Sequence, residues 1–336
     1  FADGRAEIFL DEKKTGIEVE AYLTQIAGQM PPSDFLSSIE KLARSDQPVM
    51  LDPNLAPTAL AQIIEKAGGK VLAQTDPALL PRATKNTVEL EGATRAHLQD
   101  GAAMVEYLYW LDSQPVEQLN EIAAVEALEA ARVRVGARMQ NPLKDISFDT
   151  ISGSGENAAV IHYRVTKDTN RAFRSGEMFL VDSGGQYFNG TTDITRTIAV
   201  GETTPAMRDR YTRVLKGHIA VATAVFPKGT TGAQIDAFAR RPLWEAGLDF
   251  DHGTGHGVGV YLSVHEGPQR IAKTGTTALL PGMIVSNEPG YYLPEHFGIR
   301  TENLLLVVHR EVPCAERETL GFETISLAPI DVRPIE

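Results

Sequence analysis

Along the early part of the chain, apolar residues come in short runs whose spacing switches between two periods. Glu7-Ile8-Phe9-Leu10 and Pro48-Val49-Met50-Leu51-Asp52 are compact runs with polar neighbours, and each predicts a short strand. Val71-Leu72 predicts a third. Phe35, Leu36, Ile39 and Leu42 recur at helical spacing, so a helix is expected over Ser33 to Arg44. A second is expected from Thr58 to Ala67, where Gly68-Gly69 stops it. Strands alternating with helices make residues 1–83 a partial α/β domain, closing in a linker from Pro77 to Lys85. No cluster of acids, bases or metal ligands stands out there.

The pattern then lengthens into a second domain, residues 84–336. A long helix is expected from Thr87 to Leu111, with Leu90, Ala93, His97, Met104, Val105, Leu108 and Leu111 at its inward positions. Pro115 breaks it. A second helix is expected over Val116 to Val135, ended by Gly136 and Pro142.

Beyond these helices the chain echoes itself. Glu177-Met178-Phe179-Leu180-Val181-Asp182 is an apolar strand leading into a carboxylate. A glycine-containing turn follows, and Thr192-Asp193-Ile194-Thr195-Arg196-Thr197-Ile198 is the return strand. Later, Gly282-Met283-Ile284-Val285-Ser286-Asn287-Glu288 repeats the theme, Pro289-Gly290 turns it, and Gly298 to Leu304 returns through Glu302. Two more helices, Met207 to Phe226 and Thr231 to Ala246, precede this second unit. Two such halves facing each other bring Asp182, Asp193, Glu288 and Glu302 to one point. Phe322 to Leu327 reads as a structural strand.

Composition narrows the function classes. The 336 residues suit two domains of roughly 150 residues each. A net charge of −12 argues against a general nucleic-acid binder, which would carry a basic face. No apolar run approaches the ~20 residues that span a bilayer. Cys314 is the single cysteine, so no intrachain disulfide forms, which fits a reducing compartment. The sequence opens at Phe1 with no signal-like segment, and the expectation is that it begins inside a domain.

Chemistry concentrates between residues 162 and 302. Asp182 and Glu288 each leave an apolar strand, and buried carboxylates are costly unless they are paired or hold a cation. Crowding four of them would raise several of their pKa values strongly, a conflict that a pair of divalent ions resolves. The glycine-flanked stretch His252-Gly253-Thr254-Gly255-His256-Gly257-Val258-Gly259 adds a nitrogen ligand, His256. Oxygen and imidazole donors without thiolate favour Mn²⁺, Co²⁺ or Fe²⁺, with Zn²⁺ as an alternative, over a structural zinc site. Two such ions about 3.5–4 Å apart could share a hydroxide nucleophile and polarise a carbonyl. His162 and His265 remain for hydrogen bonding or proton transfer, although His162, in Ile161-His162-Tyr163, taken alone reads as a core histidine. Gly153-Ser154-Gly155 lacks the Gly-Lys-Ser/Thr of a phosphate loop, and Ser183 is not in a nucleophile elbow.

From about Lys85 to Pro329 these residues resemble the pita-bread metallopeptidases, and within them the cytosolic Xaa-Pro aminopeptidase (aminopeptidase P) branch. Besides the stretches above, the likeness rests on Val264-His265-Glu266-Gly267-Pro268, Asn287-Glu288-Pro289-Gly290-Tyr291-Tyr292 and Gly298-Ile299-Arg300-Thr301-Glu302-Asn303. The resemblance implies a pseudo-twofold pita-bread catalytic domain. It implies two divalent ions, Mn²⁺ first and Zn²⁺ or Co²⁺ as alternatives. One would sit on Asp182, Asp193 and Glu302, the other on Asp193, His256, Glu288 and Glu302. Glu288 would also take the proton from the attacking water. His162, His252 and His265 would contact substrate and shuttle protons, and Arg300 and Tyr292 would orient a ligand. The implied reaction is hydrolysis of the N-terminal Xaa-Pro bond of a peptide with proline second, using a hydroxide shared by the two metals. The implied setting is cytoplasmic, with a homodimer allowed and no nucleic-acid or membrane partner. Long members of the family carry two α/β domains ahead of the catalytic one and a short tail after it, whereas only part of the second such domain is expected here.

Three alternatives stand beside this reading. A prolidase would cut only Xaa-Pro dipeptides. A creatinase-like amidinohydrolase needs no metal, which the intact ligand set argues against. A non-catalytic peptide-binding module would be expected to have lost some of those ligands.

Overall fold

A computed structural model of the chain describes residues 4–336 and divides between Leu79 and Leu80 into two compact units. In the first unit, β1 (Glu7–Phe9), α1 (Ile17–Leu23) and β2 (Gly28–Met30) form one crossover with parallel strands. After α2 (Phe35–Ala43), β3 (Val49–Leu51), α3 (Thr58–Lys66) and β4 (Val71–Ala73) form another. The α/β alternation read from the sequence is present. Helix α1 carried no expectation, because its apolar residues make no buried face: Ile17 is 86% exposed and no residue of the helix is buried.

The division falls at the first residue of α4 (Leu79–Ala83), and α5 (Thr87–Ser113) follows, started by reciprocal capping between Asn86 and Glu89. Its inward stripe is Ala93, Ala96, His97, Asp100, Ala103, Met104, Tyr107 and Leu111. Val105, expected inside, is 47% exposed. Helix α6 (Glu121–Arg138) starts later than expected, because Val116–Gln118 form a 3₁₀ turn and the Asn120 side chain caps the Ala123 amide. It also runs through Gly136 rather than ending there. A Cβ at Gly136 would lie 3.0 Å from the Asn141 carbonyl oxygen, so this glycine makes room for the returning chain.

The strands follow as β5 (Asp145–Ile146), β6 (Ile151–Ser154), β7 (Glu177–Ser183), β8 (Gly185–Tyr187), β9 (Gly190–Thr191) and β10 (Ile194–Val200). Next come α7 (Pro205–Ala222), β11 (Val225–Pro227) and α8 (Gly232–Trp244). The helix expected over Met207 to Phe226 therefore stops at Ala222, and Phe226 belongs to a strand paired with the last one. β12 (Gly255–His256), β13 (Arg270–Ile271), β14 (Ile284–Asn287), β15 (Gly290–Leu293), β16 (Phe297–Arg300), β17 (Asn303–His309) and β18 (Thr319–Thr324) complete the unit. One sheet has the order β10-β7-β6 and another the order β11-β18-β17-β14. Met104, Tyr107, Leu128 and Val135 from α5 and α6 pack with Phe179 and Val181 of β7. Val214, Ile235 and Leu243 from α7 and α8 pack with Val285 and Leu305. Each large apolar side chain so buried contributes about 1.5–3 kcal/mol.

The internal echo takes a definite form. In each half a ladder of two strands is interrupted by a short hairpin, then resumes. β7 ends at Ser183, β8 and β9 pair with each other, and β10 resumes with Ile194 opposite Ser183. β14 ends at Asn287, β15 and β16 pair, and β17 resumes with Asn303 opposite Asn287. Asp193 and Glu302 hold the same place, one residue before the ladder restarts. The single return strand expected over Gly298 to Leu304 is thus two strands, broken at Thr301-Glu302. The first acids do not correspond in the same way. Asp182 lies opposite Thr195, whereas the matching place opposite Leu304 belongs to Ser286, and Glu288 lies beyond the ladder.

Candidate metal centre and substrate cleft

The two hairpin breaks face one cleft of about 660 Å³ in the second unit. Its lining includes His162, Asp182, Asp193, His252, His256, His265, Glu288, Arg300 and Glu302. Ligand atoms of Asp193, His256 and Glu302 lie within 4.8 Å of one another. His256 Nε2 is 3.4 Å from Asp193 Oδ2 and 3.4 Å from Glu288 Oε1. Its Nδ1 faces the Gly257 carbonyl at 3.0 Å, which leaves Nε2 free to face the acids. Gly255 allows this approach: a Cβ there would lie 1.9 Å from the Ser286 carbonyl oxygen.

Asp182 and Glu302 each have one oxygen held and one left over. The Thr195 hydroxyl donates to Glu302 Oε2 at 2.7 Å, and Arg300 Nη2 donates to Asp182 Oδ2 at 2.7 Å. Asp182 Oδ1, Asp193 Oδ1 and Glu302 Oε1 are buried with no hydrogen-bond partner among the described residues. The Ser286 hydroxyl lies 3.1 Å from Glu288 Oε1 and also accepts from the His256 amide. Buried polar atoms are nearly always satisfied, so unpartnered carboxylate oxygens converging beside an imidazole nitrogen fit a divalent cation.

Electrostatics say the same. Burial, then the neighbouring Asp182 and Glu288, push the Asp193 carboxyl well above the usual range. Glu302 is pushed well up by burial and by Asp193, and Glu288 is raised by burial despite His256. Arg300 supplies positive charge, but it is committed to Asp182 and to the Tyr292 hydroxyl, the latter at 2.7 Å.

The histidines form the rest of the wall. His162 is exposed, so it is not the core residue that Ile161-His162-Tyr163 suggests on its own. His252 Nε2 meets the Tyr292 hydroxyl at 2.8 Å, and its Nδ1 meets the Gly253 carbonyl at 2.8 Å. Burial and Arg300 bring its pKa down to about 4, which keeps the ring neutral. The rings of His256 and His265 meet edge-on with centroids 4.2 Å apart. Burial, then His256, lowers the His265 pKa.

Several residues escaped the sequence reading. Thr195 and Ser286 each lie two positions along a strand from an acid of the cleft, so the two-residue period of a strand was the available signal. Arg196, buried and with no carboxylate partner among the described residues, donates to the carbonyls of Thr195, Glu302, Ala328 and Pro329 and to Asn303 Oδ1. It fastens the backbone at Glu302 to a segment far along the chain.

Comparison with known proteins decides the family. Residues 91–309 match metallopeptidase family M24, and residues 1–89 match the creatinase/prolidase N-terminal domain.

The chain belongs to metallopeptidase family M24.

It is 40% identical to a probable Xaa-Pro aminopeptidase P of Ajellomyces dermatitidis, over 97% of this chain and 55% of that protein. It is 39% identical to aminopeptidase P2 of Arabidopsis thaliana, over 99% of this chain and 51% of that protein. The X-prolyl aminopeptidase of Caenorhabditis elegans, described as a cytosolic enzyme with a di-nuclear active site, superposes with a TM-score of 0.88. Identity is 34%, covering 98% of this chain and 54% of that one. An Xaa-Pro dipeptidase from Bacillus anthracis superposes at 0.76 with 25% identity, covering 97% and 86%. The architecture is thus the pita-bread fold of this family, preceded by a creatinase-type domain. The chain spans about half the length of the curated relatives it matches. Among the described residues no helix is long and apolar enough to cross a membrane.

Proposed function

We propose that this chain is the catalytic portion of an Xaa-Pro aminopeptidase, removing the first residue from peptides with proline second. One observation carries the reading: in the cleft of an M24 chain, ligand atoms of Asp193, His256 and Glu302 lie within 4.8 Å of one another, and buried oxygens of these two acids and of Asp182 have no partner among the described residues. The aminopeptidase relatives at 34–41% identity supply the substrate class.

The proposed ligands are Asp182, Asp193 and Glu302 for one divalent ion, and Asp193, His256, Glu288 and Glu302 for the second. Mn²⁺ is the first choice, with Zn²⁺ and Co²⁺ as alternatives. When bound, such a pair would supply Lewis acidity and activate a water as nucleophile. Glu288 accepts the proton lost by the attacking water, a role suited to a carboxylate whose proton affinity is raised by burial. Neutral His252, His162 and exposed His265 hydrogen-bond the peptide and return a proton to the departing proline nitrogen. Arg300 and Tyr292 keep Asp182 and His252 in place. Proline offers no amide hydrogen and has a fixed φ, so its recognition rests on ring packing in the cleft. A cytoplasmic setting belongs to the same proposal, supported by the description of the nematode neighbour.

The test is hydrolysis of Arg-Pro-Pro and of an Xaa-Pro dipeptide, before and after chelation, with Mn²⁺ added back. Tripeptide cleavage abolished by chelator and restored by Mn²⁺ is expected. Cleavage of the dipeptide alone would replace the reading with prolidase, which the Bacillus neighbour favours. No cleavage of either by the Mn²⁺-loaded chain would count against both.

A further inference from the structure

The last rung of the β14–β17 ladder pairs Asn287 with Asn303. Glu288 follows the first asparagine and Glu302 precedes the second, so this one rung adjoins both glutamates. Beyond it their backbones part. The Glu288 amide donates to the Thr254 carbonyl, and the Glu302 amide donates to the Thr195 carbonyl. The corresponding rung in the other half is Ser183 opposite Ile194, with no asparagine on either strand.

A single ring joins the two asparagines. His218, buried on α7, has Nδ1 3.0 Å from the Asn287 carbonyl oxygen and Nε2 3.2 Å from Asn303 Nδ2. Its own carbonyl accepts from Asn287 Nδ2 at 2.9 Å. Arg196 Nη2 donates to Asn303 Oδ1 at 2.9 Å, which leaves the amide nitrogen of Asn303 to face the imidazole. Nε2 must therefore accept, and the single proton of the neutral ring sits on Nδ1, where it donates to the Asn287 carbonyl. Each link in the row Arg196, Asn303, His218, Asn287 then pairs a donor with an acceptor. A hydrocarbon side chain of similar size would fill the same space and hold neither asparagine.

We propose that His218 is a positioning residue for the metal centre, holding Asn287 and Asn303 so that Glu288 and Glu302 face the same ions. This rests on the metallopeptidase reading of the cleft. His218 is not part of the cleft lining, and it acts through the residue next to each glutamate. Its two nitrogens have different consequences. In the proposed ligand set Glu288 serves only the second ion, whereas Glu302 serves both. Cutting the Asn287 tie should therefore loosen one ion, and cutting the Asn303 tie should loosen two.

The test is calorimetric titration of the chelator-stripped chain with Mn²⁺, with cleavage of Arg-Pro-Pro followed in parallel. Wild type is expected to take up two ions. His218→Gln places an amide oxygen near the position of Nε2, so it keeps the Asn303 tie and leaves the Asn287 carbonyl without its donor. It should weaken one ion about 10- to 100-fold and move the other less than about twofold. His218→Asn places an amide nitrogen near the position of Nδ1, so it keeps the Asn287 tie and loses the Asn303 one. It should weaken both ions. Urea unfolding of the metal-free variants is measured alongside, because each strands one buried group and should lose stability to a similar degree. A histidine that served folding alone would show that loss with the same effect on the ions in both variants. Wild-type affinities in a folded variant, or one pattern shared by the two, overturns the assignment. If one variant does not fold, the other decides against wild type, by one ion weakened for Gln or both for Asn. Wild type that takes up no Mn²⁺ overturns this inference together with the metal reading. The expected pattern without cleavage of Arg-Pro-Pro would sink the aminopeptidase reading and leave His218 in its role.

Discussion

Arg300 donates to Asp182 Oδ2 at 2.7 Å and thereby fixes which oxygen of that carboxylate remains free. The second amino group of the same guanidinium holds Tyr292, which in turn holds His252. One side chain therefore sets both an acid and a histidine. Arg300→Lys keeps a positive charge but cannot make both bonds in this geometry. Metal affinity is expected to fall about 10- to 100-fold, as for other residues that support a ligand. Titration with Mn²⁺ followed by calorimetry reads this directly, and unchanged affinity would show that Asp182 needs no such support.

Asp193 sits at the centre of the acids, with its pKa raised by burial and then by Asp182 and Glu288. Asp193→Asn is expected to remove bound metal and activity together while the helical circular dichroism signal stays intact. A variant with full turnover would show that Asp193 is not shared between two ions.

Behind the cleft, Asp100 and Arg132 form a buried bidentate pair, with the Tyr187 hydroxyl also donating to Asp100 at 2.7 Å. Arg132 Nη2 further donates to Ser183, next to Asp182 in sequence. Asp100→Ala strands a buried guanidinium and is expected to cost about 3–5 kcal/mol of stability. Urea unfolding measures it. A loss below about 1 kcal/mol would mean that water or a rearranged side chain replaces the carboxylate.

Two kinds of group withdraw stability as pH falls. Burial lowers the pKa of His97, and burial followed by Arg196 lowers that of His218 to about 4 from 6.5. A depressed folded value means the unfolded chain binds more protons between the two values. The stability due to these histidines is therefore complete above pH 6.5 and declines as pH falls toward 4. Asp100, held down by Arg132 against the cost of its burial, adds a second loss only below its unfolded value of 3.8. In the chelated chain the raised acids of the cleft act in the opposite sense, so urea midpoints between pH 8 and pH 3.5 are compared between wild type and His218→Gln. The difference between the two is expected to change as pH falls from 6.5 toward 4; a difference that stays constant with pH would sink the histidine assignment.

How much of this was legible beforehand depends on the element. Met178-Phe179-Leu180-Val181 and Met283-Ile284-Val285 are apolar through several residues, so both central strands and the acids after them stood out. The long helices did too, because Pro115 breaks one and Thr231 starts another. What stayed hidden depends on distant pairing. Gly136 looks like a helix stop until the returning chain at Asn141 is seen to need its space. Helix α1 has no face to reveal it. Arg270 lies in a two-residue strand that carries no periodicity, and only its register with His256 turns it toward the cleft.

Arg196 carries a consequence for the order in which the polypeptide is made. Its guanidinium holds the Glu302 carbonyl at 2.6 Å on one side and the Ala328 carbonyl at 2.7 Å on the other. While a ribosome is still adding the residues before Ala328, those late acceptors do not exist, and the group must stay hydrated or be buried unsatisfied. The acids can gather earlier, but the wall behind Glu302 closes only once residues 328 and 329 have been added. Nascent chains arrested before and after residues 328 and 329 should therefore differ sharply in protease resistance around Glu302.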